Sequence, residues 1–500
     1  MRQYQRRTFI APLFWPVVSL AVGIAVARAY EPPMLTPMLV GGALLLLTLL
    51  SWRLPVVQSL SLVALFGVAG TMLGVQQRRA LHVDWPPQPA DYAAVVASTP
   101  VVRGKTLQMD AWLVPTGRQI RLRMMREPWT EPLSVGDGLL LHGRVTPLTA
   151  DGSYRTYLES HGFQGELFVP YRHARRARLS LSALSFSQRQ RIRFLTFRQQ
   201  LLQHIRTAGI SASSYGIVAA MALGDRSAIT PQQRESFSVA GTSHLLALSG
   251  LHLGILYMLL IHLLPRRRLP MASMGLTLLS IWAFVLLVGL PVSTVRAATM
   301  LTLYGLVSLL HRSRTPVATL SLTAFVILLA RPYALFDVGF QLSFASVLAI
   351  LVLQPMLDSL LPAHWQQRHR WVRTVWGVTT VSLAAQLGTA PLVACYFGRF
   401  SVYFLLANYV AIPLSACILY VTLLLVLTPW WPAVQSLLAV VLSWLVARLD
   451  AFTQWLASWP GASIDGLHLT SVQTAALYVL ILSLAAALHL YLQRRPGRWC

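Results

Sequence analysis

HLLALSGLH, residues 244–252, carries His244, Ser249, Gly250 and His252 within nine positions of a long apolar stretch. Leucine fills most of the remaining places. Read as part of a membrane span, this stretch puts two imidazoles and a hydroxyl where polar groups are costly. Ionisable residues inside a membrane are rare and mark function by default.

The rest of the chain supports the membrane reading. Of 500 residues, 55% are hydrophobic and only 11% are charged, and the mean hydropathy is +0.57. That composition excludes an ordinary soluble protein. The charge is strongly basic, 41 Lys+Arg against 16 Asp+Glu. Lys105 is the only lysine, so nearly all of that charge is arginine, the planar cation suited to phosphate. Many arginines serve as topology anchors on loops. Cys395, Cys417 and Cys500 fit neither a zinc site nor a disulfide framework. No cofactor is expected, and no phosphate-binding GxxxxGK[ST] loop occurs.

Working outward, the chain divides into four parts. Residues 1–76 hold three apolar runs, about 10–29, 34–51 and 55–75, behind a basic start. A run of about 20 apolar residues is spanning length, so the first is read as a retained helix rather than a cleaved leader. Residues 77–170 form the only sizeable polar region. "YAAVVA", "RQIRLRMM" and "GDGLLLHGRV" are short, partly alternating and separated by turn residues, the pattern of a small β-barrel or sandwich.

Residues 171–206 begin with Arg172, Arg175, Arg176 and Arg178. A basic amphipathic helix follows, with Phe194, Phe197, Leu201 and Leu202 near one face and Arg191 and Arg198 elsewhere. Such a helix suits the membrane interface, a soluble core helix being the bland alternative.

Residues 207–495 are nearly continuous membrane. Candidate spans are about 238–264, 271–290, 295–310, 316–330, 340–360, 374–394, 403–428, 434–449 and 472–492. Arginines punctuate them at Arg266 to Arg268, Arg312 with Arg314, Arg368 with Arg370 and Arg373, and Arg494 with Arg495. With the N-terminus in the cytoplasm, three spans put residues 77–237 outside. Roughly twelve spans then return every arginine group inside. One re-entrant helix would invert every later loop.

In the motif region "TPQQ" is a helix start. Thr230 caps, Pro231 takes the first turn and Gln233 reaches back. The helix is expected to continue through "SFSVAGTSHLLALSGLHLG", weakened at Gly241, Gly250 and Gly254. His244 and His252 would stand about 80° apart around it, which is no helical metal pair. Ser249 and His252, three apart, can face each other. Arg296, Asp337, Gln341, Ser343, Gln386, Thr389 and Asn408 add polar stations at span depth. Any one of them could be interhelical hydrogen-bond glue. Together, several beside Gly or Pro breaks, they favour a lined polar cavity. Arg296 and Asp337, at matched depth, are expected to share it.

Residues 222–254, "ALGDRSAITPQQRESFSVAGTSHLLALSGLHLG", resemble the signature of the ComEC competence family, the inner-membrane DNA-uptake channel. "VRAATM", "DVGFQLSFASVLAI" and "GTAPLVACYFGRFSVYFLLANYVAIPL" continue the likeness in order. "DGSYRTYLESHGFQGEL" resembles the end of that family's OB-like domain. The resemblance implies a polytopic α-helical membrane protein with an inserted OB-like β domain on the outer side. It implies passage of single-stranded DNA to the cytoplasm through the bacterial inner membrane. The HxHxDH motif of the family's C-terminal metallo-β-lactamase-like domain is absent, so either a short member or a truncated one is expected, without nuclease activity. The soluble loop also lacks the cysteines some members carry.

Residue chemistry and resemblance agree on a mechanism. Outer arginines, the four at 172–178 with Arg191 and Arg198, gather a polyanion by counterion release. The β domain suits single strands, with Trp112, Trp129 and Tyr154 as available aromatics. The channel itself would use scattered neutral donors, because a stripe of arginine would trap the strand. After Glu235 only Asp337, Asp358, Asp450 and Asp465 remain to repel phosphate. Expected partners are single-stranded DNA, the lipid bilayer, an outer DNA receptor and a cytoplasmic helicase that supplies energy. An oligomer is compatible with all of this. Two rival readings are a transporter of another anionic polymer or lipid, and an intramembrane hydrolase with Ser249 as nucleophile and His252 as base.

Overall fold

The first three apolar runs fold as α1 (Phe14–Tyr30), α2 (Leu35–Leu50) and α3 (Pro55–Leu81), Pro55 fitting the first turn of its helix. The computed structural model describes residues 13–130, 133–148, 152–264, 270–309 and 316–493. The basic N-terminal residues, Arg266 to Arg268, Arg312 with Arg314, and Arg494 with Arg495 lie outside the described residues. Two compact units make up the chain. The first comprises 1–199, 283–290 and 306–337, the second 200–282, 291–305 and 338–500.

In the first unit α1 and α3 meet along a seam of glycines. An ideal Cβ on Gly23 would lie 1.8 Å from the Gly67 carbonyl oxygen, and one on Gly70 2.1 Å from that of Leu20. Only a hydrogen side chain lets the two backbones approach this closely. Thr71 Oγ1 donates to the Gly23 carbonyl at 3.2 Å across the same seam.

The polar region folds as β1 (Ala90–Val96), β2 (Val101–Arg103), β3 (Thr106–Val114), β4 (Gln119–Met125), β5 (Gly138–Gly143), β6 (Val145–Thr146), α4 (Ser153–Ser160), β7 (Gly165–Val169) and β8 (Ala174–Ala177). The sheet runs β6-β7-β4-β3-β1-β5-β8, with β2 on β3. Among the described residues only β4 and β7 pair in parallel. β6 follows β5 after the single residue Arg144, so one stretch of chain pairs with β1 through β5 and with β7 through β6. The sheet is therefore curled. Period-two alternation drives this: Ile120, Leu122 and Met124 enter the core, where Leu139, Leu141, Leu167 and Val169 meet them. Arg121 and Arg123 take the other face, Arg121 pairing with Asp110 at 2.7 Å. Arg28, near the end of α1, reaches α4. It donates to Thr156 Oγ1 at 2.7 Å and pairs with Glu159 at 3.2 Å.

The helix expected at the interface is α5 (Phe186–Thr207). Its buried stripe is Ile192, Leu195, Arg198, Leu202 and Ile205, which keeps Leu202 of the expected face but not Phe194, Phe197 or Leu201. Ile192 and Leu195 pack on Val95, Trp112 and Val135 of the sheet domain, while Phe197 is 50% exposed. The sheet's apolar flank selects the register, which makes the first half of α5 a core helix.

The second unit holds α6 (Ala212–Leu223), α7 (Pro231–Val239), α8 (Gly250–Leu263), α12 (Val338–Asp358), α13 (Ala363–Arg368), α14 (Arg370–Phe397), α15 (Phe404–Leu427), α16 (Pro432–Ala457) and α17 (Ser471–Gln493). The short strands β9 (Arg399–Ser401) and β10 (Ser463–Asp465) pair antiparallel. Between α8 and α12 the chain forms α9 (Pro270–Leu287), α10 (Val292–Leu309) and α11 (Pro316–Ala330). Among the described residues seven helices are long and apolar enough to cross a membrane, and six shorter apolar helices accompany them. That differs from roughly twelve full spans. One expected span, 238–264, is not a single helix. α8 keeps 14 residues, a rise of about 21 Å, short of the ~30 Å hydrocarbon core.

Candidate functional site

The break in that span is built by identifiable local chemistry. α7 opens with the expected capping box: Gln233 N–H donates to Thr230 Oγ1 at 3.1 Å, and Thr230 N–H donates to Gln233 Oε1 at 3.2 Å. It ends at Gly241, whose φ is +80°. Gly241 N–H bonds the Ser238 carbonyl and Thr242 N–H the Phe237 carbonyl, the paired bonds of a Schellman stop. A Cβ at Gly241 would also lie 2.8 Å from Ser401 Oγ. One 3₁₀ turn, Ser243–Leu245, follows, and Ser249 then caps α8. Irregular backbone needs partners wherever water is absent. Arg226 Nε supplies one to the Leu246 carbonyl at 3.0 Å, and Ser293 Oγ supplies one to that of Leu248 at 2.6 Å.

Ser249 and His252 do face each other. Ser249 N–H donates to His252 Nδ1 at 3.3 Å, and Ser249 Oγ lies 2.9 Å from the same nitrogen. A backbone N–H can only donate, so Nδ1 accepts and the ring proton sits on Nε2. His252 thus plays the part that Glu or Gln plays in a capping box. The ring is 3% exposed, and Nε2 completes no well-aligned hydrogen bond among the described residues, the Leu245 backbone being near enough to act on the ring. His244 differs. It sits in the 3₁₀ turn and is exposed. The expectation of two imidazoles on one helix is therefore corrected, because the Schellman stop puts them on different elements.

The other stations mostly tie neighbouring helices. Arg296, 4% exposed on α10, donates from Nη2 to the Gly339 carbonyl of α12 at 2.8 Å. Gln341 Oε1 accepts from the Tyr396 hydroxyl of α14 at 2.8 Å. Asn408 Nδ2 on α15 donates to Ser382 Oγ on α14 at 3.3 Å. Gln386, also on α14, is half-buried. Asp337 belongs to the first unit and ends the 3₁₀ turn Pro332–Phe336. For Gln341 and Asn408 the bonds are of the interhelical kind weighed above.

Contacts that sequence reasoning did not anticipate hold the same region together. Gln233 Nε2 also donates to Asp450 Oδ2 at 3.2 Å and to the Ser213 carbonyl at 3.0 Å. Arg399 donates to Ser238 Oγ at 2.9 Å and Glu235 Oε1 at 2.8 Å, and its Nε bonds Asp465. Those contacts hold its guanidinium pKa above the usual value, the Glu235 hydrogen bond contributing most. They clamp α7 to the β9–β10 pair. Arg399→Lys is expected to keep the charge but lose most of the clamp, since an ammonium lacks the planar fork. Limited proteolysis of the detergent-solubilised protein should cut near residues 235–241 several-fold faster in the variant, and equal rates would remove the clamp.

The arginines expected to bind DNA do not form one row. Arg175 and Arg176 lie on β8, opposite Leu140 and Leu139 of β5, so the strand sends them to opposite faces. Arg176 pairs with Asp137 at 2.7 Å. Arg172 takes a left-handed turn conformation, φ +64°, and its N–H bonds Glu127. Arg172, Arg175 and Arg178 are exposed. Arg198 is corrected outright. It is 8% exposed and donates to the Val288 carbonyl at 3.3 Å and to Thr99 Oγ1 at 3.1 Å. Arg191 stands over the Trp112 ring, 5.5 Å from its centroid, and burial presses its pKa down. Trp112 itself is core, whereas Phe168 and Tyr171 are exposed at 52% and 50%.

Comparison with known proteins fits this arrangement. The family model described as Competence protein matches residues 221–492, from the end of α6 through α17. "ComE operon protein 3" of Bacillus subtilis is 31% identical over 243 residues, 48% of this chain and 30% of that protein. "Competence protein ComA" of Neisseria gonorrhoeae is 29% identical over 293 residues, 56% of this chain and 39% of that protein. "Recombination protein 2" of Haemophilus influenzae is 24% identical over 234 residues, 45% of this chain and 30% of that protein. The match thus spans well under half the length of these relatives. No solved structure matches the chain. The family match covers more than half of the 500 residues and contains the interrupted helix, its caps and Arg296, so the chain belongs to the ComEC family of competence proteins.

Proposed function

We propose that this chain is the membrane part of a DNA-uptake system and passes single-stranded DNA through the inner membrane toward the cytoplasm. The observation that carries the reading is the match of residues 221–492 to the competence family, which includes a helix break whose polar groups sit in otherwise apolar chain. The sheet domain fits an OB-like role. Its strands pair in the order β1-β3-β4-β7, and the β5–β6 stretch returns from β7 to β1, the Greek-key arrangement used for single strands. Exposed Arg172, Arg175 and Arg178 beside exposed Phe168 and Tyr171 supply charge and stacking faces.

The rival hydrolase has one observation in its favour, the 2.9 Å Ser249–His252 contact. It lacks the third group that orients such a base, since no carboxylate meets His252 Nε2 among the described residues. We therefore read the chain as a non-enzymatic conduit. Producing it in a strain deleted for its own uptake channel should raise transformation at least tenfold over empty vector. Excess DNA should compete, and a non-nucleic polyanion should not. A chain that reaches the membrane yet leaves transformation at the deletion background overturns the proposal.

A further inference from the structure

α14 carries a stripe at helical spacing, Arg370, Arg373, Thr374, Gly377, Val378, Val381 and Ser382, which forms one wall of a cleft of about 770 Å³. Leu251 of α8 and Ile412 of α15 complete it. The cleft is two-ended in chemistry. Arg370 and Arg373 stand one turn apart at one end, both exposed, and neither meets a carboxylate among the described residues. The remaining wall is mostly aliphatic, Leu251, Val378, Val381 and Ile412, with the hydroxyls of Thr374 and Ser382 set into it. Gly377 opens it further, since a Cβ there would meet nothing within 4 Å. Trp365 and Trp371 flank the arginines and are 53% and 69% exposed, as side chains at the headgroup level of a bilayer are.

We infer that this cleft binds an anionic phospholipid, with its phosphate on Arg370 and Arg373 and an acyl chain along Gly377 and Val381 toward Leu251 and Ile412. Two guanidinium forks on one helix face can grip a single phosphodiester from both sides. Basic pockets between helices at the membrane surface select anionic headgroups in this way. A nucleic-acid strand fits less well, because beyond the arginine end the wall offers bases no aromatic face and few polar groups, the hydroxyls of Thr374 and Ser382. Lipid in the cleft would bear on Leu251, the residue beside His252, and so link headgroup composition to the interrupted helix.

Native mass spectrometry of the full chain in detergent tests this with dioleoyl phosphatidylglycerol, dioleoyl phosphatidylcholine and a short deoxythymidine oligomer. Phosphatidylglycerol should bind and phosphatidylcholine should not compete with it. Arg370→Gln with Arg373→Gln should weaken phosphatidylglycerol roughly 30-fold. Gly377→Phe should fill the aliphatic end and weaken it at least tenfold with both arginines in place. Equal binding of the two lipids overturns the proposal. So does undiminished phosphatidylglycerol binding in either variant, or its displacement from the unaltered protein by the oligomer.

Discussion

DNA uptake falls at least tenfold in His252→Ala, and His252→Gln restores the amount of protein in the membrane without restoring uptake. The expectation follows from the two ring nitrogens having different tasks. Nδ1 accepts from the Ser249 N–H and closes the first turn of α8, a cap whose loss costs about 1 kcal/mol. Glutamine at the same position closes a capping box equally well. Nε2 carries the proton, is buried and completes no well-aligned hydrogen bond among the described residues, and glutamine does not reproduce it. A tenfold loss corresponds to about 1.4 kcal/mol, the size of one hydrogen bond. Ser249→Ala keeps the backbone bond to Nδ1, so its uptake should stay within about threefold of normal; the rival Ser–His nucleophile would instead be abolished. Quantitative immunoblots and transformation counts on the three variants decide. Full uptake in His252→Gln would leave the imidazole as a cap alone.

Arg296→Met is expected to lower both protein level and uptake, with Arg296→Lys in between. The guanidinium is 4% exposed and bonds the Gly339 carbonyl in the first turn of α12. Methionine keeps much of the volume and removes the charge-assisted bond, a loss of about 2 kcal/mol. A loss of that size lowers accumulation several-fold. Lysine retains the charge with a compact head that reaches fewer acceptors. Asp337→Asn, alone and with Arg296→Met, tests the pairing expected from sequence, because non-additive losses measure coupling directly. Wild-type level and uptake in Arg296→Met would make this arginine dispensable to both fold and passage.

What could be read from sequence was what depends on local composition. Long apolar runs have few ways to fold, so most helix ends fall within a few residues of those expected. The box at Thr230 and Gln233 was legible because both partners lie within one turn. The helix stop at Gly241 was legible only as a weak point. Its Schellman bonds need no special residue beyond the glycine, and the closeness of Ser401 that also demands glycine comes from 160 residues further on. Arg198 was misread for the same reason. A cation on a helix reads as surface, and its burial depends on a carbonyl 90 residues away. α6 gave no periodic signal at all. Nine of its twelve residues are buried, and a helix that is apolar all round has no polar stripe to announce it.

The glycine seam between α1 and α3 imposes an order on biosynthesis. Gly23 finds its partner only when Gly67 has been made, a lag of roughly 2 to 9 seconds at 5–20 residues per second. During that interval α1 has only α2 and lipid beside it, and its backbone groove stands open. A bulky residue in the groove would not hinder insertion of α1, which depends on apolarity alone, and would show itself only once α3 arrived and failed to dock. Damage here would surface as a late assembly defect in a chain already threaded into the bilayer.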